Sequence, residues 1–370
     1  MRINVWAYLS EYKKEKKAIL LAVEKVFSSG QLILGENVQR FEEEFSAYCK
    51  RSYGIGTNSG TDAIFLALKA LGIGKGDEVI TVPNTAIPTV SAICTTGASP
   101  VFVDIDPGTY LIDVNKIESK ITKRTKCILP VHLFGQCCDM GAIFKIAKKH
   151  KLFVLEDCAQ AHGAMWGRKI AGSMSDLAAF SFYPTKILGA YGDGGMVVTN
   201  SLKLTTKIKM SRMYGISKDY YSEFLGYNSR LDEVQAAILR YKLKRIDGYL
   251  LKRKKIAERY YSGLANTSLK LPTRDLRGNH AFYLFVCRHK MRDRLLEYLK
   301  DKDIHLNVSY RYPIHLMKGF AFLGYKKRDF PVTETAAEQI FSLPMYPEFS
   351  IIEQNRVIEV LKQFSSNHPQ

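Results

Sequence analysis

No stretch of the sequence reaches the roughly 20 consecutive apolar residues that a membrane-spanning helix needs, although 46% of its 370 residues are hydrophobic. The opening residues, MRINVWAYLSEYKKEKK, carry no apolar core of a secretory leader. The expectation is a protein of the cytoplasm, with no membrane among its partners. The sequence also has no C-x-x-C pair. Its seven cysteines (Cys49, Cys94, Cys127, Cys137, Cys138, Cys158 and Cys287) are odd in number, and adjacent Cys137 and Cys138 lack metal-site spacing. A disulfide framework and a metal site are therefore not expected, which suits a reducing compartment. Acidic residues are scarce, with 36 Asp and Glu against 54 Lys and Arg, a net charge of +18. Such an excess favours phosphate-bearing partners. Nucleic acid is the first to consider, but no zinc-finger, KH or RRM signature accompanies the basic runs at 13–17, 148–151, 242–245, 252–255 and 326–328. These runs sit beside helical apolar periods and read as solvated faces. An anionic small substrate uses the charge better, and no nucleic acid partner is expected. Internal repeats and low-complexity segments are absent as well.

What is present is an alternation. Strand-like runs occupy 53–57, 78–82, 100–105, 126–133, 152–157, 177–182 and 195–199, and helical periods fall at 61–71, 86–96, 114–120 and 139–150. Strands separated by helices imply βαβ units and a largely parallel sheet. After about position 200 the pattern becomes helical and charged, at 202–214 and 230–262. A strand at 282–287, a helix at 290–301, a strand at 304–309 and a closing helix at 351–364 follow. The reading is an α/β protein with a large domain over 1–245 and a smaller α+β domain over 246–370, on which the N-terminal segment could pack. The glycine-rich run Gly72-Ile73-Gly74-Lys75-Gly76 follows a helix and precedes a strand. That is the reverse of the order a dinucleotide loop needs, so it reads as a helix stop and turn.

Three segments carry chemistry. In TNSGTDAIFLAL (57–68) a strand ends, Asn58-Ser59-Gly60 turns, and Thr61-Asp62 open a helix. The unpaired N–H groups and positive dipole end of that helix start suit an anion, and Gly60 lets the backbone approach it; Ser59 or Thr61 is also a candidate cap. In LFVLEDCAQAHG (152–163) Asp157 directly follows an apolar strand, where ligands gather in open α/β sheets. Its neighbour Glu156 should alternate to the other face. In SFYPTKILGAYGDGG (181–195) a lysine, Lys186, stands in a glycine-rich loop between two strands. Lysine with a lowered pKa forms imines with aldehydes. A phosphate cradle, a carboxylate for a ring nitrogen and an imine-forming lysine are the three anchors of pyridoxal phosphate.

The segments NSGTDA, EDCAQAHGA, FSFYPTKILGAYGDGG and GYNSRLDEVQAA resemble the sugar aminotransferases of the DegT/DnrJ/StrS family, and the likeness runs from about Leu34 to the last helix. The resemblance implies a fold-type-I aminotransferase: a seven-stranded mixed, mostly parallel sheet, a small C-terminal α+β domain, and an obligate homodimer with shared active sites. It implies that Lys186 holds pyridoxal 5'-phosphate and then shuttles a proton. Asp157 would pair with the ring nitrogen, and Gln160 would sit near the ring hydroxyl. Gly60, Thr61 and Ser181 would hold the phosphate, which Asn228 would reach from the partner subunit; an Asx-turn is the alternative for Asn228. Tyr183, Tyr310, Arg311 and His315 are the candidate nucleotide–sugar contacts, with an ordinary surface arginine the favoured alternative for Arg311; His162 could touch the sugar, but a satisfied core histidine is the favoured reading. One departure stands out. The family usually reads P-x-x-T-[FWY]-I-A-T where this chain has VPNTAIPT (82–89), so Ala86 replaces an aromatic over the ring, and the space could serve the substrate.

The implied reaction moves an amino group from L-glutamate to a nucleotide-linked keto-6-deoxyhexose for amino-sugar and surface-glycan biosynthesis. The TAIPT and AQAHG variants lean toward C-3 of a dTDP-sugar. A C-4 aminotransferase acting on a UDP- or GDP-sugar is the alternative. A related sugar dehydratase would carry histidine in place of Lys186. A non-enzymatic basic protein that binds phosphate or nucleic acid would show no visible absorbance.

Overall fold

The computed structural model describes residues 2–275 and 277–368. Its centre is one seven-stranded sheet in the order Tyr53–Thr57, Gly195–Thr199, Leu177–Ser181, Phe153–Asp157, Thr125–Ile128, Glu78–Thr81, Ser99–Phe102. Gly195–Thr199 runs antiparallel to both neighbours, and the remaining pairs are parallel. The sheet is therefore mixed and mostly parallel, as the resemblance implied. Leu177–Ser181 and Gly195–Thr199 are buried at every position, which is why they read as continuous apolar runs.

Antiparallel register places Gly195 opposite both Thr57 and Ser181. Asp157 ends a strand parallel to Leu177–Ser181. One end of the sheet thus gathers the termini of four adjacent strands, and the site is built there.

Two helices at the N-terminus were not anticipated from the sequence, Tyr8–Ser29 and Glu36–Tyr48. The second buries Val38, Phe41, Glu42, Phe45 and Ser46, the i, i+3, i+4, i+7, i+8 stripe of an amphipathic helix. Its first turn is closed from outside by the Glu233 carboxylate, which accepts from Asn37 N at 3.0 Å and Val38 N at 2.7 Å. The charged stretch expected as one helix over 230–262 is two, Glu233–Leu243 and Ile246–Leu264. The expected strand at 304–309 shortens to Ile304–His305, and that at 282–287 shifts to Phe285–Arg288. The strands at 100–105 and 126–133 also stop early, at Phe102 and Ile128. The apolar residues beyond these ends are buried loop rather than ladder. The Gly72–Gly76 run does end a helix and turn, with Gly72 and Gly76 at φ 81° and 92° and Gly74 N donating to Asp77 Oδ2 at 3.0 Å.

A second core lies under the C-terminal half, around Tyr260, Phe285, Leu295, Leu299, Phe341 and Phe364. Ile3 belongs to it, because Ile3–Asn4 pairs in parallel with Ile304–His305. The first residues of the chain are thus tied to its last third. Among the described residues no helix is long and apolar enough to cross a membrane.

Candidate active site

A cavity of about 300 Å³ opens at that end of the sheet. Gly60, Thr61, Ala86, Asp157, Gln160, Ser181, Tyr183 and Lys186 all line it, together with Ser59, Thr85, Thr89 and Asp193. Segments more than a hundred residues apart in sequence therefore meet in one place.

The floor is the start of helix Gly60–Ala70. Ser59 caps it, its Oγ accepting from Asp62 N at 3.1 Å. The first N–H groups of a helix lack intrahelical partners, so this end favours an anion. The cradle has no room for side chains. A Cβ at Gly60 would stand 2.6 Å from Ser181 Cβ, and one at Gly195 would stand 2.2 Å from the Ser59 carbonyl oxygen.

Asp157 is buried, 4% exposed. Its Oδ2 accepts from the Thr89 hydroxyl at 2.8 Å, and its Oδ1 accepts from Ala159 N at 3.1 Å. Burial pushes its carboxyl above the ordinary range, while the Ala159 amide, the Thr89 hydroxyl and the charge of Lys186 oppose that push. A desolvated carboxylate beside a cavity is poised to pair with a cationic ligand atom. Glu156 points to the opposite face, as alternation requires, and meets His132 Nε2 at 3.0 Å. Cys158 lies with those two residues in a buried trio, but Glu156 is already engaged by Gly172 N, Met174 N and the Ser175 hydroxyl.

Gln160 is held at both ends. Its Oε1 accepts from Phe134 N at 2.7 Å, and its Nε2 donates to the Tyr310 hydroxyl. Tyr310 thus connects with the cavity through Gln160 rather than by lining it. Lys186 is half-buried in the loop after Leu177–Ser181. Its Nζ lies over the ring of Tyr283, 4.8 Å from the centroid.

Three candidate substrate contacts do not reach the cavity. His162 is fully buried among Phe45, Phe180 and Phe182, and among the described residues neither ring nitrogen has a hydrogen-bond partner. Burial first, then the charge of Lys186, pushes its ring down to about 3, against a smaller opposing influence of the Ser181 backbone. Arg311 is exposed and reaches Asp293 at 3.3 Å. His315 is buried against Phe330, with Nε2 at 3.1 Å from Glu334 Oε1. The apolar surroundings of the two histidines and the local ion pair of the arginine keep them elsewhere. Asn228 is exposed and lies outside this chain's own cavity.

Sequence reading missed Thr89 and Tyr283. Thr89 belongs to the VPNTAIPT segment; a threonine in the first turn of helix Ile87–Thr95 was the available signal. Nothing local marks Tyr283, which stands 97 positions from Lys186 in the chain.

The sheet and this cavity define a fold-type-I pyridoxal phosphate enzyme of the aminotransferase kind. The chain belongs to the DegT/DnrJ/EryC1/StrS aminotransferase family, which it matches over residues 13–362. It is 50% identical over 98% of its length to a dTDP-3-amino-3,4,6-trideoxy-alpha-D-glucose transaminase of Micromonospora megalomicea subsp. nigra, of which the match covers 99%. It is 45% identical to a dTDP-3-amino-3,6-dideoxy-alpha-D-galactopyranose transaminase of Aneurinibacillus thermoaerophilus, over 94% of this chain and 96% of that one. The crystal structure of S. venezuelae DesV in complex with a ketimine intermediate superposes with a TM-score of 0.97 at 39% identity, covering 98% of both chains. Pyridoxal phosphate is the cofactor of this family. The residues here fit it, with a side-chain-free cradle at a helix start, a buried carboxylate and a lysine around one cavity.

Proposed function

We propose that this enzyme moves an amino group from L-glutamate to C-3 of a dTDP-linked keto-6-deoxyhexose. The observation that carries the proposal is the convergence of Gly60, Asp157 and Lys186 on one cavity. The choice of sugar rests on the relatives, whose names place the amino group at C-3 of dTDP-sugars.

Each residue has a part. The helix start at Gly60 and Thr61, with the Ser181 hydroxyl, takes the phosphate. Asp157, oriented by Thr89 and Ala159, keeps the ring nitrogen charged, and Gln160 faces the ring hydroxyl. Bound there, pyridoxal phosphate supplies an electron sink for the carbanion left when a proton leaves the amino-bearing carbon. Lys186 Nζ would hold the cofactor at rest and, once free, would accept that proton and later return one at the sugar carbon. Donor and acceptor use the cavity in turn, so the kinetics are ping-pong. The space beside Ala86 and Pro88 admits the pyranose, with Tyr183 at its rim.

The working form in this reading is a homodimer. Asn228 and the exposed Tyr220, Tyr221 and Leu225 support it, because this segment lies outside its own cavity and leaves large apolar side chains in solvent. Asn228 then reaches the phosphate of the second copy. All seven cysteines are free, which suits the cytoplasm, where sugar nucleotides for surface glycans are made.

The test is product analysis. The purified enzyme is offered dTDP-3-keto- and dTDP-4-keto-6-deoxyhexoses, and their UDP counterparts, with glutamate. An amine at C-3 of the dTDP-sugar, located by NMR, is expected; an amine at C-4, or preference for a UDP-sugar, would overturn the assignment.

A further inference from the structure

We propose that Tyr283 is the positioning residue for Lys186: its ring face receives Nζ when the lysine is free of the cofactor and holds it once it has taken up a proton. The inference rests on the reading of Lys186 as the lysine that carries the proton. Three observations support it. Nζ sits 4.8 Å from the ring centroid. The Tyr283 hydroxyl lies 3.0 Å from Thr185 Oγ1, the residue before the lysine. The Trp6 ring packs 5.9 Å from the Tyr283 ring and closes that side.

Tyr283 is held more firmly than a packing residue needs. It is 5% exposed. The buried Arg253 guanidinium donates to the Phe282 and Tyr283 carbonyls at 3.1 and 3.2 Å. Phe282 just before it has a left-handed backbone, φ 50°, a conformation that persists only where its surroundings impose it. Ala281 N and Leu284 N donate to Gly135 O and Phe134 O at 2.8 and 3.2 Å. The N-terminal segment adds the cover. Trp6 follows the Ile3–Asn4 strand, and Trp6, Ala7, Tyr8 and Glu11 wall a chamber of about 20 Å³ behind Lys186.

The charged groups and the histidine near Lys186 are Asp157, His162, Asp193, Glu11, Glu348 and Arg253, and the tyrosines Tyr8, Tyr183, Tyr249 and Tyr346 line the same two cavities. The carboxylates have other partners. Glu11 pairs with Lys242 at 2.6 Å, Glu348 with Lys14 and with Lys252 at 2.8 Å, and Asp157 with Thr89. Asp193 is exposed. Among the described residues Lys186 forms no ion pair with these carboxylates, and its Nζ rests on the ring face while Asp157 acts on it across the cavity. A seat of this kind holds the protonated lysine between taking a proton from one carbon and returning one to another.

An aromatic face favours the ammonium through its quadrupole. An amine-selective acylating reagent attacks the neutral amine only, so the ring should slow acylation of Lys186. The full chain, freed of cofactor, is treated at fixed neutral pH, and modification at Lys186 is followed by peptide mass spectrometry. Tyr283→Phe should react within about twofold of the native chain. Tyr283→Leu, and a Tyr283→Phe chain carrying a pentafluorinated ring, should react about two- to thirtyfold faster, the range that a cation–π contact spans. The fluorinated chain keeps the ring's shape, so it answers even if the leucine variant fails to fold. Equal rates for the native and fluorinated rings would overturn the proposal, as would equal acceleration by Phe. A parallel arm adds pyridoxal phosphate first. Failure of the cofactor to protect Lys186 would instead remove the catalytic reading of the lysine, so the two failures are distinguishable.

Discussion

The Thr89 hydroxyl donates to Asp157 Oδ2 at 2.8 Å, and Thr85 Oγ1 stands 2.9 Å behind it. Residues 68 positions apart are thereby locked in the orientation that presents the carboxylate to the cavity. Thr89→Val keeps the shape and removes the bond. A hydrogen bond to a charged group contributes about 1.5–3 kcal/mol, so kcat should fall roughly ten- to a hundredfold. Asp157→Asn should fall further, because it removes the charge as well as the acceptor. Steady-state kinetics on the two variants decide the matter. Native turnover in Thr89→Val would mean that the Ala159 amide alone sets the carboxylate.

The cradle makes a sharper demand. A methyl at position 60 meets Ser181 Cβ at 2.6 Å, and Ser181 is fixed in a fully buried strand. Overpacking of this sort costs about 1–3 kcal/mol. Gly60→Ala should weaken cofactor binding by roughly five- to a hundredfold, read by titrating the visible absorbance. Ser181→Gly removes the clashing Cβ together with a phosphate donor, so the double variant is compared with Ser181→Gly alone, on which background the added methyl should cost much less. If Gly60→Ala costs as much there as in the native chain, the loss does not come from this contact.

Stability away from the cavity depends on another buried pair. Glu42 and Arg212 form an ion pair across strand Tyr53–Thr57, with Glu42 Oε1 accepting from Gly56 N at 2.8 Å and Arg212 Nη1 donating to Gly56 O at 2.7 Å. Both side chains are 8% exposed. Glu42→Gln leaves a buried guanidinium without its countercharge, which costs about 3–5 kcal/mol. Urea unfolding should show that loss, whereas Glu42→Gln combined with Arg212→Met should recover much of it. A single variant as stable as the native chain would show the pair to be hydrated.

How much of this could be read from the chain depends on the range of the signal. The βαβ alternation, the cap at Ser59, Asp157 at a strand end and Lys186 in its glycine-rich loop are each encoded within a dozen residues. The reading placed all of them, and the cavity gathers them. Helix Glu36–Tyr48 was equally legible in its stripe of Val38, Phe41, Phe45 and was overlooked. The motifs alone did not decide His162, read as a core histidine before a sugar contact, or His315, because a histidine in a motif looks the same whether it faces a sugar or an aromatic core; only the folded neighbours tell. Tyr283 was beyond reach. Its position over Lys186 is set by Arg253, Phe134 and Trp6, which share no local pattern with it.

His162 supplies the pH dependence. Its ring stays neutral in the folded chain down to about pH 3, against an ordinary value of 6.5, because burial among Phe45, Phe180 and Phe182 leaves its charge unsolvated. Below pH 6.5 the unfolded chain takes up a proton that the folded chain refuses. Unfolded protein then binds more protons, so stability falls as the pH falls. The contribution is complete above 6.5 and is lost progressively toward 3. One such proton steepens the decline by about 1.4 kcal/mol per pH unit. His280, also held near 3 by burial, acts in the same direction and is left in place. His132, which burial lowers but contacts with Cys138 and Glu156 raise to about 10, is likewise left in place in both chains. His162→Leu removes one proton from the balance and puts an apolar side chain into an aromatic cage. The cofactor-free variant should therefore lose stability less steeply than the native chain between pH 6.5 and 4.5, by about that one-proton slope, in urea titrations. Parallel curves would mean that the folded chain accepts the proton after all, with water reaching the ring.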